Sequence, residues 1–225
     1  MMRLYGSLPT SGPLWVAISG GVDSMALSYF LEQSHRDRLH WVYVQHHTEY
    51  GKEVEQFLSE EAKRKQIPFT VRAIEGECPK GESLEAWWRN QRYGFFKECQ
   101  GTVLTAHHLN DVMETWVWTN LHGEARLMPY QHENVIRPWL KVPKEKILDY
   151  AQRKGVQWKD DPSNQDCRFP RNQLRHEALP ALFKAHPGFP SVVSRLLQQR
   201  EAEEKMSLAE GPAQQQSGLP KRSPK

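Results

Sequence analysis

The chain is poor in cysteine, and the positions of its cysteines exclude more than their number does. Cys78, Cys99 and Cys167 are the only three in 225 residues. They are far apart, odd in number and form no C-x-x-C pair, which argues against a disulfide framework, a zinc site and a cysteine-ligated iron–sulfur cluster. Long apolar runs are also missing. Stretches such as Leu14 to Ile18 and Leu39 to Val44 break within a few residues, well short of the roughly 20 needed to cross a bilayer. No membrane span is expected. Met1 to Pro13 holds one basic residue and no apolar h-region, so no secretory signal is read and the expected location is cytoplasmic. A strong charge excess is absent as well: 30 Lys+Arg against 27 Asp+Glu leave a net charge of +3, which permits an acidic partner without demanding one. At 38% hydrophobic and 25% charged residues, fibrous, collagenous and wholly disordered classes are excluded.

The small net charge hides an asymmetry. Residues 141–200 contain 12 Lys+Arg and 6 Asp+Glu. Two uses fit such a segment, a surface for phosphates and an ordinary solvated helical face. Eight tryptophans are many for this length. Trp87, Trp88, Trp116 and Trp118 fall at adjacent or alternate helical positions, which cannot all face the core, so core packing and stacking on bases are both open to them.

Hydrophobic periodicity alternates short apolar strands with amphipathic helices. Strands are expected at Leu14 to Ser19, Leu39 to Val44, Phe69 to Ala73, Val103 to Ala106 and Val135 to Ile136. Helices are expected at Asp23 to Gln33, Glu53 to Lys65, Leu84 to Phe96, about Asn110 to Asn120, and Pro143 to Lys154 before Gly155. This rhythm implies an α/β fold, an open parallel sheet with helices on both faces and ligands at the carboxyl ends of the strands. After the polar loop Lys159 to Pro170, helices at about Arg171 to Phe183 and Pro190 to Met206 form a small C-terminal helical extension. The resulting division is a nucleotide-binding region at 1–130, a basic region at 131–206 and a disordered tail at 207–225, too poor in apolar residues to fold.

The chemistry begins at Ser19-Gly20-Gly21-Val22-Asp23-Ser24, where the first strand meets the first helix. The glycine pair lets the backbone turn tightly and present several N–H groups, and the helix N-terminus adds partial positive charge, making an anion nest. Ser19 and Ser24 add hydroxyl donors. Asp23 would repel phosphate unless it holds a divalent cation that bridges to it. The loop matches neither G-x-x-x-x-G-K-[ST] nor G-x-G-x-x-G. Downstream lies Thr105-Ala106-His107-His108-Leu109-Asn110-Asp111-Val112-Met113-Glu114-Thr115. Helical spacing would put His107, Asp111 and Glu114 or Thr115 on one face, where they could position a substrate, order a metal or move protons. His108 is read at even odds as a cap or packing residue.

These segments, in this order, resemble the tRNA(Ile)-lysidine synthetases, a branch of the ATP pyrophosphatases with the S-G-G-x-D-S PP-loop. The resemblance runs from about Trp15 to Leu182. Beside the two motifs above it includes Gly81 to Glu85 with Arg89, Arg92 and Tyr93; Ile136-Arg137-Pro138-Trp139-Leu140; Trp158-Lys159-Asp160-Asp161-Pro162-Ser163-Asn164; and Arg171-Asn172-Gln173-Leu174-Arg175 with Leu179-Pro180. It implies a Rossmann-like fold of the adenine nucleotide alpha-hydrolase type. It also implies a ligase that adenylates the wobble cytidine of an isoleucine tRNA with a CAU anticodon, using ATP and Mg²⁺. L-lysine then displaces AMP to form lysidine.

The site residues implied are Ser19, Gly20, Gly21, Val22, Asp23, Ser24 and Arg92 for ATP, with Asp23 also for Mg²⁺. Asp23, Arg89, His107, Asp111 and Glu114 are implied for catalysis, and Asp161, Asn164, Arg171, Asn172 and Arg175 for tRNA or nucleotide contact. Three departures stand out. Residues 120–129 keep only Gly123 of the family's glycine-rich run, Asn110 stands where many members have Asp, and the expectation is a short form without the family's C-terminal domains. Recognition of tRNA would then fall to the anticodon loop and the basic helices, with a homodimer partner as a further option. The alternatives are another PP-loop adenylating enzyme acting on a different tRNA base or a small molecule, and a non-catalytic RNA-binding relic.

Overall fold

The computed structural model describes residues 2–168 and 170–210, with side chains through residue 203. Strands and helices alternate as β1 (Leu14–Ala17), α1 (Val22–His35), β2 (Leu39–Gln45), α2 (Glu49–Lys65), β3 (Phe69–Ala73), α3 (Leu84–Glu98), β4 (Thr102–Leu104) and α4 (Leu109–Leu121). Two short strands follow, β5 (Gln131–His132) and β6 (Val135–Ile136), and then α5 (Lys144–Arg153). The six strands lie in the order β3-β2-β1-β4-β6-β5. All neighbours are parallel except the edge pair β5 and β6. β5 carries no apolar alternation, and it escaped the periodicity argument for that reason.

Strand alternation sorts the core into two faces. Leu14, Val16 and Ile18 of the first strand segment join Leu39, Trp41 and Tyr43 of β2 beneath α1, α2 and α5. The alternate positions Trp15 and Ala17, with Val42 and Val44, pack with Val103, Val135 and the α3 residues Trp87, Trp88 and Phe96. Leu14, Val16 and Trp41 are fully buried, and each such side chain contributes about 1.5–3 kcal/mol. Helices on both faces leave only the strand ends open.

Order in the sheet locates the crevice. β1 is flanked by β2 on one side and by β4 on the other, so successive connections leave in opposite directions and open a cleft at the carboxyl ends of β1 and β4. The S-G-G-x-D-S loop follows β1, and the double-histidine segment follows β4.

The C-terminal layer consists of α6 (Pro170–Gln173), a π-helical turn (Leu174–Ala178), α7 (Leu179–Ala185) and α8 (Phe189–Glu210). It packs Leu174, Leu179, Phe189, Val193 and Leu197 against Leu109, Val112 and Met113 of α4. The expected single helix from Arg171 is therefore interrupted by the π turn. α8 continues through residues 207–210, where the disordered tail was expected to begin. Lys205 to Glu210 contains neither Gly nor Pro before Gly211, so good helix formers extend the helix. Residues 211–225, the rest of that expected tail, lie outside the described residues. No described helix is long and apolar enough to cross a membrane. The helical tryptophans Trp87, Trp88, Trp116 and Trp118 are all partly buried against the core clusters.

Candidate active site at the β1–β4 crevice

Past β1 the chain closes a compact loop with its own hydroxyls. Ser24 Oγ accepts from Ser19 N at 3.0 Å, lies 3.0 Å from Ser19 Oγ and donates to Gly21 O at 3.0 Å. Gly20 has φ +80°, and a Cβ there would come within 2.7 Å of Val54 Cγ1 on α2. Conformation and space therefore both require glycine. No side chain caps the N-terminus of α1, so its first N–H groups remain available to an anion, as expected of a phosphate nest.

Asp23, in the first turn of α1, faces a cationic and an imidazole partner from other elements. Lys144 Nζ, at the start of α5, donates to both carboxylate oxygens at 2.6 and 2.7 Å. His108 Nε2 lies 3.6 Å from Asp23 Oδ1. Burial alone would raise the Asp23 carboxyl, but His108 and Lys144 outweigh it and hold it at about 2. Asp23 is thus ionised at neutral pH. Lys144 is placed by its own backbone N–H, which donates to Asn110 Oδ1 at 3.1 Å. The amide at position 110 accordingly serves as an acceptor that docks α5 onto α4.

The double-histidine segment differs from its helical expectation. α4 begins at Leu109 with His108 as N-cap, so His107 precedes the helix and does not share its face with Asp111 and Glu114. Extended backbone between β4 and α4 sends the two histidines in different directions. His107 Nδ1 pairs with Thr105 Oγ1 at 2.8 Å. Burial, reinforced by Arg137 and Arg89 and opposed by Asp111, lowers His107 to about 4. His108 takes the bridging position instead. Its backbone N–H donates to Asp111 Oδ2 at 2.8 Å, and its Nδ1 lies 3.3 Å from the same oxygen. Burial opposes protonation of His108, but Asp111 and Asp23 prevail and raise its pKa.

Asp111 and Glu114 do share a face of α4, three residues apart. Arg175, from the π turn, donates from Nε and Nη2 to the two Glu114 oxygens at 2.7 and 2.8 Å and lies 3.7 Å from Asp111 Oδ1. The other residues expected at tRNA or nucleotide largely bind their own surroundings. Asp161 Oδ1 accepts from Ser163 N at 2.8 Å, the Asn164 carbonyl pairs with His176 Nε2 at 2.8 Å, and Asn172 Nδ2 donates to Ser163 O and Asp166 O. Arg171 pairs with Glu85 of α3 at 2.8 Å. The whole loop starts from the phosphate nest, because Lys159 N donates to Gly20 O at 2.9 Å.

A neighbouring cluster comes from β2 and α3. His46, just past β2, stacks on Trp88 at 4.7 Å; burial, with Arg92 and His47 adding to it, lowers its pKa to about 4. Burial and Arg89 lower Arg92, while Arg89 lies over the Tyr93 ring at 4.8 Å. Sequence reasoning missed Lys144, His46 and the bridging position of His108. Only His108 had a local signal, its place three residues before Asp111.

No group of three or more metal-ligating side chains exists among the described residues. Mg²⁺ does not need one, since it keeps several waters and takes one or two carboxylates together with substrate phosphates. The ionised Asp23 beside the phosphate nest fits that donor set.

The PP-loop domain family matches residues 2–182. The chain belongs to the PP-loop family. Within it, the chain is 35% identical over 191 residues to the tRNA(Ile)-lysidine synthase of Exiguobacterium sibiricum, covering 79% of this chain and 45% of that one. It is 33% identical over 199 residues to the synthase of the same name from Vibrio vulnificus, covering 81% and 45%. This PP-loop protein thus spans about half the length of the curated relatives it matches. Among solved structures, the U34-tRNA thiolase of Methanococcus maripaludis with its [4Fe-4S] cluster superposes with a TM-score of 0.67 at 16% identity, covering 85% of this chain and 72% of that one. That likeness establishes the shared fold.

Proposed function

We propose that this PP-loop protein joins L-lysine to C2 of the wobble cytidine in a CAU-anticodon isoleucine tRNA, consuming ATP and releasing AMP and pyrophosphate. One observation carries the proposal: an uncapped helix N-terminus and glycine nest for phosphate face a pair of carboxylates, Asp111 and Glu114, across a single crevice. Phosphate and a cationic amine are the two charges this reaction must bring together. The names of the similar relatives support the same reading.

In the first step the cytidine O2 attacks the α-phosphate and the bond to the β-phosphate breaks. The backbone of Gly20, Gly21 and Val22, with the Ser19 and Ser24 hydroxyls, holds the departing pyrophosphate. Lys144, held on Asp23 beside the nest, adds positive charge for the same group, and Arg89 and Arg92 spread the charge that builds on the α-phosphate. The Asp23 carboxylate would hold Mg²⁺, which would neutralise charge on the leaving pyrophosphate. In the second step the lysine ε-amine attacks C2 and AMP leaves with the C2–O bond pair. Asp111 and Glu114 bind the incoming ammonium, and one of them takes the proton that frees its lone pair. His107, kept neutral at pH 7, orients the base by hydrogen bonding without adding charge.

Incubation with ATP, Mg²⁺, labelled lysine and CAU-anticodon isoleucine tRNA is expected to label the tRNA with stoichiometric AMP. Pyrophosphate release driven by a metabolite in place of tRNA, with no label transferred across a panel of tRNAs, would overturn the proposal.

A further inference from the structure

Asp111 and Glu114 are the carboxylates the proposed reaction needs for a cationic amine, yet a cation from the chain itself already sits on them. Arg175 grips both Glu114 oxygens through a planar fork and approaches Asp111 with the same Nη2. The Glu114 and Asp111 side chains are 12% and 21% exposed, whereas Arg175 is 41% exposed. The acids therefore point inward and the guanidinium enters from the open side. A second cation at the same oxygens would meet like-charge repulsion and would lose the bidentate geometry.

Arg175 is carried by the π turn Leu174–Ala178, a rare geometry concentrated at functional sites. The turn is bonded back to the phosphate nest through identifiable contacts. Lys159 N holds Gly20 O, and the segment that begins there offers the carbonyls of Ser163 and Asp166 to Asn172 and the carbonyl of Asn164 to His176. Asn172 and His176 flank Arg175. A shift at Gly20 when phosphate enters the nest therefore has a bonded route to the guanidinium, about 150 residues along the chain but one loop away in space.

We propose that Arg175 is the resident occupant of the amine subsite and leaves it when nucleotide fills the phosphate loop, so that amine binding is contingent on nucleotide. This rests on the lysidine-forming reading of the site and adds an order of binding to it. Arg175 is then a specificity residue: only a cation able to compete with a chelating guanidinium takes its place on Glu114.

Equilibrium binding of radiolabelled L-lysine to the full chain, with and without a non-hydrolysable ATP analogue and Mg²⁺, tests both parts. The wild-type protein is expected to bind lysine about tenfold more tightly with the analogue, a typical coupling between sites. Arg175→Ala is expected to bind lysine without analogue as tightly as the wild type does with it. Arg175→Lys keeps the charge and loses the fork, and is expected to retain part of the nucleotide dependence, a graded effect that a purely structural role would not produce. Unchanged nucleotide-free binding in folded Arg175→Ala overturns the proposal. Should that variant not fold, the double variant Asn172→Ala/His176→Ala keeps the guanidinium and cuts both of its ties to the loop; an unaltered nucleotide dependence there overturns the proposal equally. Loss of pyrophosphate release from ATP and tRNA, with lysine binding still following Arg175 as described, would remove the lysidine reading and leave the cation subsite standing.

Discussion

The two walls of the crevice are built over different distances along the chain. At the phosphate loop the partners are two to five residues apart: Ser19 with Ser24, Ser24 with Gly21, Gly21 with Ser19. They are neutral dipoles, and from distant segments the loop takes Val54 packing on Gly20 and one backbone bond from Lys159 N to Gly20 O. At the carboxylates, Asp23 of the loop itself and Glu114 of the acidic wall, the decisive pairs are Asp23 with Lys144, 121 residues apart, and Glu114 with Arg175, 61 residues apart. Charges placed in a crevice need compensation, and here the compensation comes from segments that only the completed fold brings near. The phosphate wall is therefore a local device, and the acidic wall depends on the C-terminal layer.

Four substitution experiments can break or sharpen that contrast. The largest effect is expected at Asp23. Asp23→Asn should lower ATP-dependent pyrophosphate release by about 10²–10³, whereas Ser24→Ala, which deletes one neutral hydroxyl, should cost only about tenfold. Equal losses in the two variants would erase the distinction between the charged carboxylate held from a distance and the neutral, locally bonded hydroxyl.

Lys144 comes next. Lys144→Ala is expected to raise the KM for ATP about tenfold and to raise the Asp23 pKa, because its two charge-assisted bonds disappear; Lys144→Arg should recover most of the affinity. An alanine variant with unaltered ATP kinetics would make the Lys144–Asp23 pair a structural tie only.

The histidines allow a pH test of stability. His107 has a folded pKa of about 4 against an ordinary 6.5, so the unfolded chain takes up its proton first. Stability is then lost as pH falls from about 6.5 to about 4, and His107→Asn should remove up to about 1.4 kcal/mol per pH unit of that slope. His108 has the opposite sign: its raised pKa makes its contribution full below the unfolded value and lost as pH rises through the folded one. Asp23 adds a contribution present above 3.8 and lost as pH falls towards 2. Urea denaturation of His107→Asn and His108→Asn across this range would show the two variants bending the profile in opposite directions. Parallel profiles would contradict the lowered pKa of His107 and the raised pKa of His108.

The smallest effect separates two buried tryptophans. Trp41 Nε1 donates to Ser28 Oγ of α1 at 2.7 Å, while Trp139 Nε1 finds no partner among the described residues. Both are fully buried. Trp41→Phe is expected to cost about 1 kcal/mol more than Trp139→Phe, because only the former breaks a hydrogen bond; thermal denaturation of the pair decides it.

Much of this site was legible before any fold was known. The nest at Ser19 to Ser24 follows from glycine at a strand–helix junction, and Asp111 with Glu114 follows from helical spacing. His107 was misplaced because spacing assumes a helix, and the helix starts two residues later, at Leu109, where His108 caps it. Arg175 was expected at tRNA or nucleotide because a lone arginine carries no mark of its partner. Lys144 was invisible for the same reason: in a segment with 12 basic residues, nothing local distinguishes the one that reaches Asp23.

By itself the sequence determined five of the six strands, the helices α1 to α5 and the phosphate loop, since each depends on residues within a few positions of one another and on the periods of 2 and 3.6 that sort apolar from polar faces. The tertiary structure decided which charges meet. β1 beside β4 in the sheet brings Asp23 next to His108, α5 docked on Asn110 delivers Lys144, and the C-terminal helices packed on α4 deliver Arg175 to Glu114. Coulomb energy depends on distance in space, and that distance is set by the order of strands and the packing of layers.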